Sequence, residues 1–412
     1  MDYFNRIDGA LCADGVPLAT LAETFGTPLY VYSQATLLRH VRVLDESLAP
    51  LRRRICYAVK ANGNLSLLRL LGGAGCSFDA VSLGELMRVQ RAGQRISDTI
   101  FSGVGKSDHE IDLALKNDVL YLSVESKEEL AAVARIAHGS GRVARVSIRV
   151  NPDVDAKTHP YISTGMAENK FGVPVTDLHE LVAAAKDHPG LKLVGLTCHI
   201  GSQLTTLAPF EDAATRLTAL TRQVQQAGVT LSHVGMGGGL GIPYQGETPP
   251  SPEAYGRALG DILGPLGLEV VLEPGRVIVG NAGVLLTQVV RQKDHGPKHF
   301  VLVDAGMNDL LRPALYQAHH AIEAVSPRQG AARNVDVVGP VCESADTFGQ
   351  NVPLPPLHSG DLLALRGAGA YGFVMASQYN GRPRPAEVLC HDGQTTLIRA
   401  RETFEDLWRH EA

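Results

Sequence analysis

Residues Ile55–Ala92, ICYAVKANGNLSLLRLLGGAGCSFDAVSLGELMRVQRA, carry the pattern that decides the fold. An apolar run with strand propensity, Ile55–Val59, ends in the polar Lys60-Ala61-Asn62. A second run, Phe78–Val81, ends at Ser82, and Ser82–Ala92 then shows apolar residues at helical spacing. Working outward, the texture continues through Thr99–Phe101, Leu120–Val124, Val146–Val150, Leu193–Cys198, His233–Met236 and Val270–Leu272, with Lys127–Ala137 as another amphipathic helix. Strands alternating with helices imply a parallel sheet joined by crossover helices. Eight such units over roughly 240 residues match the size of a (β/α)8 barrel. A doubly wound open sheet shares the periodicity and stays open at this level.

The residues that end each run narrow the choice. They are Lys60-Ala61-Asn62, Ser82, Ser102-Gly103, Glu125-Ser126, Asn151, His199-Ile200-Gly201-Ser202, Gly237-Gly238-Gly239 and Glu273-Pro274-Gly275-Arg276. Polar, titratable and glycine residues therefore gather at the C-terminal ends of the strands, which in a barrel meet on the one face that carries catalysis. Beyond Arg276 the texture changes. Val277–Arg291, His299–Val303, Val335–Val338 and Asp361–Leu365 read as strands between Gly/Pro-rich turns. The expected organisation is a barrel over 36–276 and a β-rich domain over 277–412. The N-terminal segment 1–35, with Leu29–Tyr32 as a strand, is expected to join the second.

Composition excludes several classes. With 38 Lys+Arg against 43 Asp+Glu the net charge is −5, which gives no reason to expect nucleic acid or an anionic membrane as a partner. No stretch approaches the roughly 20 apolar residues of a membrane helix. The N-terminus, MDYFNRIDGALCADG, does not read as a signal peptide. The six cysteines lie far apart, without a Cys-x-x-Cys pair, so neither a metal site nor a disulfide framework is expected, and a cytoplasmic location fits.

Four features carry chemistry. Lys60 ends an apolar strand, where a half-buried amine has the lowered pKa that a Schiff base to an aldehyde needs. A strand-end lysine more often only snorkels. Gly237–Gly241 holds four glycines in five positions, able to close backbone N–H groups around a phosphate. Leu240 breaks the dinucleotide fingerprint. His199 could stack on a flat ring and Ser202 could reach a phosphate. Glu273 could keep a pyridine nitrogen protonated, making the ring an electron sink. Two apparent motifs are set aside. Gly103–Ser107 ends like a P-loop, but Ile100 stands where its first glycine belongs. His319-His320 lacks ligands at zinc spacing and reads as exposed helix surface.

At these residues the chain resembles, over nearly its whole length, the alanine-racemase-fold pyridoxal-phosphate (PLP) decarboxylases. That family includes the ornithine, arginine and diaminopimelate decarboxylases. The resemblance implies an α/β protein: a PLP-binding (β/α)8 barrel followed by a C-terminal β-rich domain. By it, Lys60 is the Schiff-base lysine and His199 the residue stacked on the ring. Ser202 with Gly238, Gly239 and Gly241 holds the phosphate, and Glu273 pairs with the ring nitrogen. Asp79, Gly275, Arg276 and Tyr371 complete the cofactor contacts. Three stretches look most like the diaminopimelate decarboxylases. They are Asn151–Gly172, Met307–Tyr316 (MNDLLRPALY) and Gly339–Asp346 (GPVCESAD). The branch implies Arg276, Arg312, Tyr316, Glu343 and Tyr371 as substrate contacts and Cys342 as the proton donor. It also implies a homodimer with shared active sites. Gly63 and Val277 depart from its usual residues, and neither carries a proposed role.

Charge supports the same substrate. Diaminopimelate bears an amine and a carboxylate at its far end, so its reader needs an anion and a cation. Glu343 suits the ammonium, and Arg276 and Arg312 suit the carboxylate. Ornithine would be repelled by a second arginine. The implied reaction is decarboxylation of meso-2,6-diaminopimelate to L-lysine. The rivals are a decarboxylase of another basic or carrier-bound amino acid, a racemase, which would place arginine near the ring nitrogen instead of Glu273, and a non-catalytic PLP-binding regulator.

Overall fold

The computed structural model describes residues 2–154 and 170–412. Most of the Asn151–Gly172 stretch singled out above lies outside the described residues. The chain divides into two compact units. One comprises His40–Ile242 and Thr248–Val277; the other comprises Met1–Arg39, Pro243–Glu247 and Ile278–Ala412.

The first unit is a closed barrel of eight parallel strands. In barrel order they are Arg53–Ala58, Ser77–Ala80, Thr99–Phe101, Tyr121–Val124, Ala144–Asn151, Leu191–Thr197, His233–Gly237 and Glu269–Leu272. Val270↔Arg53 through Leu272↔Ile55 closes the ring. An open sheet is thereby excluded. A helix follows each of the first seven strands, from Leu65–Gly73 to Pro252–Leu263. Several strand-end polar residues prove to be helix caps: Ser82 accepts from Glu85 N and Ser126 from Glu129 N, while Ser107 and Glu110 form a reciprocal capping box.

The barrel is packed within. Cys56, Ile100, Tyr121, Val194 and Val271 form one buried cluster. The His233 ring stacks on Tyr121 at 4.3 Å, and its Nε2 lies 3.2 Å from Ser147 Oγ. Gly195 leaves room for that ring, since a Cβ there would sit 2.2 Å from His233 Nε2. Burial lowers His233 to about 3, so it is a neutral packing group.

The second unit is built on the strand Gly283–His295. Its first part pairs antiparallel with Leu29–Ser33 and Leu362–Leu365, and its last part with Lys298–Val303. Leu29, Val31, Val284, Leu286, Ala364 and Val388 centre its core. The single strand expected over Val277–Arg291 is in fact a helical turn, Arg276–Val279, and then Gly283–His295. Gly280 and Asn281, both poor strand formers, fall at the break. His320 is a second correction: Gln317 ends the helix Arg312–Tyr316 in a left-handed conformation, and His320 is only 1% exposed. Among the described residues, no helix is long and apolar enough to cross a membrane.

Candidate active site

Lys60 lies just past its strand, on a single 3₁₀ turn, Val59–Ala61. Ala58 N donates to Pro274 O, tying this turn to the end of the last barrel strand. Lys60 Nζ is 2.9 Å from Asp79 Oδ2. The Asp79 side chain is fully buried, and its Oδ1 has no hydrogen-bond partner among the described residues. A buried carboxylate oxygen left without a donor is costly unless a ligand supplies one.

Glu273 directly follows the last strand, its N–H bonded to Gly237 O at 2.7 Å. The side chain is half-buried, and the protein packed around it, together with the negative charge of Asp79, pushes its carboxyl up to about 8. Lys60 and Arg149 oppose that rise. His199 accepts from Gly238 N at Nδ1 (3.1 Å), which leaves the neutral ring's proton on Nε2. Burial, then the positive charges of Arg149 and Lys60, hold it well below the usual imidazole range.

The glycine run forms a tight cradle. Gly237 and Gly239 have φ of 62° and 112°, which favour glycine. A Cβ on Gly238 would lie 2.3 Å from Glu273 O, and one on Gly239 would lie 2.5 Å from Gly201 O. Leu204 N donates to Gly239 O and Gly241 N to Leu204 O, so the run is laced to the segment that follows His199. Arg276, 6% exposed, donates from Nη2 to Ser202 Oγ at 2.9 Å. Lys60, Asp79, His199, Ser202, Gly238, Gly239, Gly241, Glu273, Gly275 and Arg276 thus belong to one barrel face.

One pair on this face was missed. Arg149 Nη1 bonds Glu125 Oε1 at 2.9 Å, and Glu125 Oε2 accepts from Gly172 N. Glu125 N donates to Glu129, which ion-pairs with Lys106 at 2.5 Å. The signal was a charged residue inside the apolar run Val146–Val150. Lys106, from the rejected P-loop, is thus a buried structural lysine.

The remaining expected residues lie in the second unit. Arg312, 5% exposed, donates from Nη1 to His320 Nε2 at 2.9 Å and lies 4.7 Å from the Tyr244 ring centroid. Tyr316 is half-buried on the same helix, and Tyr371 is half-buried with φ of 55°. Cys342 and Glu343 are exposed. Asp346 holds their loop by accepting from Met307 N and Val341 N, Cys342 N donates to Asn380 Oδ1, and the negative charge of Glu343 beside Tyr379 raises the phenol's pKa.

A closed barrel with this lysine, carboxylate and glycine cradle has the architecture of the barrel PLP enzymes. Residues 34–280 match the family described as pyridoxal-dependent decarboxylase, pyridoxal binding domain. The chain is 50% identical over 414 residues to diaminopimelate decarboxylase of Vibrio cholerae serotype O1, covering 100% of this chain and 99% of that one. It is 49% identical over 412 residues to the enzyme of that name from Pseudomonas aeruginosa, at 100% and 99% coverage. The crystal structure of diaminopimelate decarboxylase from Helicobacter pylori complexed with L-lysine matches with a TM-score of 0.93 and 44% identity, over 96% of this chain and 99% of that one. The chain therefore belongs to the pyridoxal-dependent decarboxylases and, among them, to the diaminopimelate decarboxylase family.

The residues present fit PLP. An amine stands beside a buried carboxylate with an oxygen to spare, a carboxyl that holds a proton near neutrality ends a neighbouring strand, and a glycine cradle adjoins a neutral imidazole.

Proposed function

We propose that this chain removes CO2 from meso-2,6-diaminopimelate to give L-lysine, with PLP held at the C-terminal end of the barrel. The observation that carries the reading is the convergence of Lys60, Asp79, His199 and Glu273 on one barrel face, in a chain 50% identical to a diaminopimelate decarboxylase. That a family member is complexed with L-lysine supports the product.

When bound, PLP supplies an aldehyde that condenses with amines and a pyridinium ring that accepts the electron pair released as CO2 departs. Lys60 Nζ would hold PLP at its aldehyde, and Asp79, 2.9 Å away, would orient that amine. Glu273 holds a proton at the ring nitrogen. His199 would cover one ring face as a neutral group, adding no charge there. Ser202, Gly238, Gly239, Gly241 and Gly275 would hold the phosphate through hydroxyl and backbone N–H groups, and Tyr371 would contact phosphate and substrate. Arg276, Arg312 and Tyr316 bind the distal carboxylate and Glu343 the distal ammonium, which decides the carboxylate that is lost. Cys342 Sγ then delivers a proton to the carbon that lost CO2. The enzyme works as a cytoplasmic homodimer with shared active sites.

The test is CO2 and lysine release from meso-diaminopimelate by the PLP-loaded protein, with ornithine, arginine and lysine in parallel. Lysine formed from diaminopimelate alone is the expected result. Turnover of another substrate in its place would keep the cofactor and overturn the specificity.

A further inference from the structure

His320 was set aside as half of a dipeptide without metal partners, yet it is among the most buried polar residues of its unit. Its Nδ1 lies 2.8 Å from the carbonyl oxygen of Arg366. A carbonyl can only accept, so Nδ1 carries the ring proton and Nε2 keeps its lone pair. Arg312 Nη1 donates to that lone pair at 2.9 Å. The guanidinium is thus held through one edge. Its face is held as well, because the Tyr244 ring centroid lies 4.7 Å from Arg312 Cζ. Tyr244 in turn meets the His320 ring edge-on at 5.4 Å. Gly367, with φ of 66°, keeps the arrangement close, since a Cβ there would stand 3.1 Å from the Tyr244 ring.

We infer that His320 and Tyr244 are positioning residues for substrate specificity, holding the Arg312 guanidinium in one orientation for the distal carboxylate of the substrate. The inference rests on the reading of Arg312 given under the proposed function. The choice of holders has a physical reason. A carboxylate in place of His320 would hold Arg312 as firmly but would neutralise it toward an anionic ligand. A neutral imidazole and an aromatic face orient the fork and leave its charge intact. A guanidinium fixed beforehand loses less freedom when it closes on a carboxylate, so its affinity is higher.

The test compares two ligands of the PLP-loaded enzyme by calorimetry. L-lysine retains the carboxylate that Arg312 is assigned to read, and 1,5-diaminopentane lacks it. In His320→Leu, L-lysine affinity falls about 10- to 100-fold, the scale of losing a hydrogen bond to a charged group, while 1,5-diaminopentane affinity holds. The KM for diaminopimelate rises by a similar factor with kcat within about twofold, as befits lost uniform binding. His320→Gln, which can still accept from Arg312, recovers most of the loss. Tyr244→Leu gives a smaller loss, about 3- to 10-fold, again for L-lysine alone. If His320→Leu does not fold, Tyr244→Leu and His320→Gln carry the test. Equal weakening of both ligands, or no weakening of either, overturns the positioning role. Arg312→Leu separates the two readings. If it weakens L-lysine while the His320 and Tyr244 variants do not, the positioning inference fails and the Arg312 assignment stands. If it leaves L-lysine binding unchanged, the assignment fails and the inference falls with it.

Discussion

At the scale of single residues, Glu273 offers a measurable signature. Burial, then the charge of Asp79, raises its carboxyl from an ordinary 4.5 to about 8. A raised carboxyl favours the folded state while protonated, so this contribution is complete below about 4.5 and is lost as pH rises through about 8. Thermal unfolding of the PLP-free protein between those limits should show the loss, and Glu273→Gln should remove it. Asp309, pushed up to about 7 by burial, slopes the same way, so the readout is the difference between parent and variant. Equal slopes in the two would show that Glu273 is not the raised acid described. In the sequence, Glu273 and Lys60 were legible because each ends an apolar run. The Glu125–Arg149 pair was not, because its partners lie on separate strands and meet only once the barrel closes. His320 was misread for another reason. The helix expected to carry it on its surface ends at Tyr316, and the left-handed Gln317 separates the two, so helical spacing does not apply to it.

At the scale of elements, short apolar runs and amphipathic helices were legible along the barrel, with strand ends displaced by no more than a few residues. The 3₁₀ turn at Lys60 was not, since it is tied down by the bond from Ala58 N to Pro274 O, a contact remote in sequence. The cradle and the strand-end ion pair each lead to a prediction. Gly238→Ala brings a Cβ within 2.3 Å of Glu273 O, and backbone cannot yield as a side-chain tip can. Overpacking of this kind costs about 1–3 kcal/mol. PLP titrated by absorbance should therefore bind about 10- to 100-fold more weakly, and unchanged binding would mean that the cradle relaxes freely. The Lys106 side chain is 1% exposed and also donates to the carbonyls of Gly103 and Ser123. Lys106→Met leaves Glu129 buried without its cation, a loss of about 3–5 kcal/mol, visible as a lower midpoint in urea. A midpoint equal to the parent's would place that pair in water.

At the scale of the whole molecule, the residues proposed for chemistry are divided between two compact units. Lys60 belongs to the barrel unit, while Cys342 sits in an exposed loop of the other, braced by Asp346 rather than covered by its own unit. An exposed thiol makes a poor proton donor to a carbon that must be shielded from water, so on the proposed mechanism something must cover it during turnover. A second copy of the chain, with sites shared in a symmetric dimer, meets that need. The proposal can be tested without a dimer structure. Lys60→Ala and Cys342→Ala should each be nearly inactive alone, the first because nothing holds the aldehyde, the second because the released carbon is protonated slowly. If each site takes its lysine from one subunit and its cysteine from the partner, subunit exchange between equal amounts of the two variants restores one intact site in each mixed dimer. Random pairing then returns about one quarter of parental activity. If both residues of a site come from one chain, every site in every dimer stays defective, and the mixture is no more active than its components.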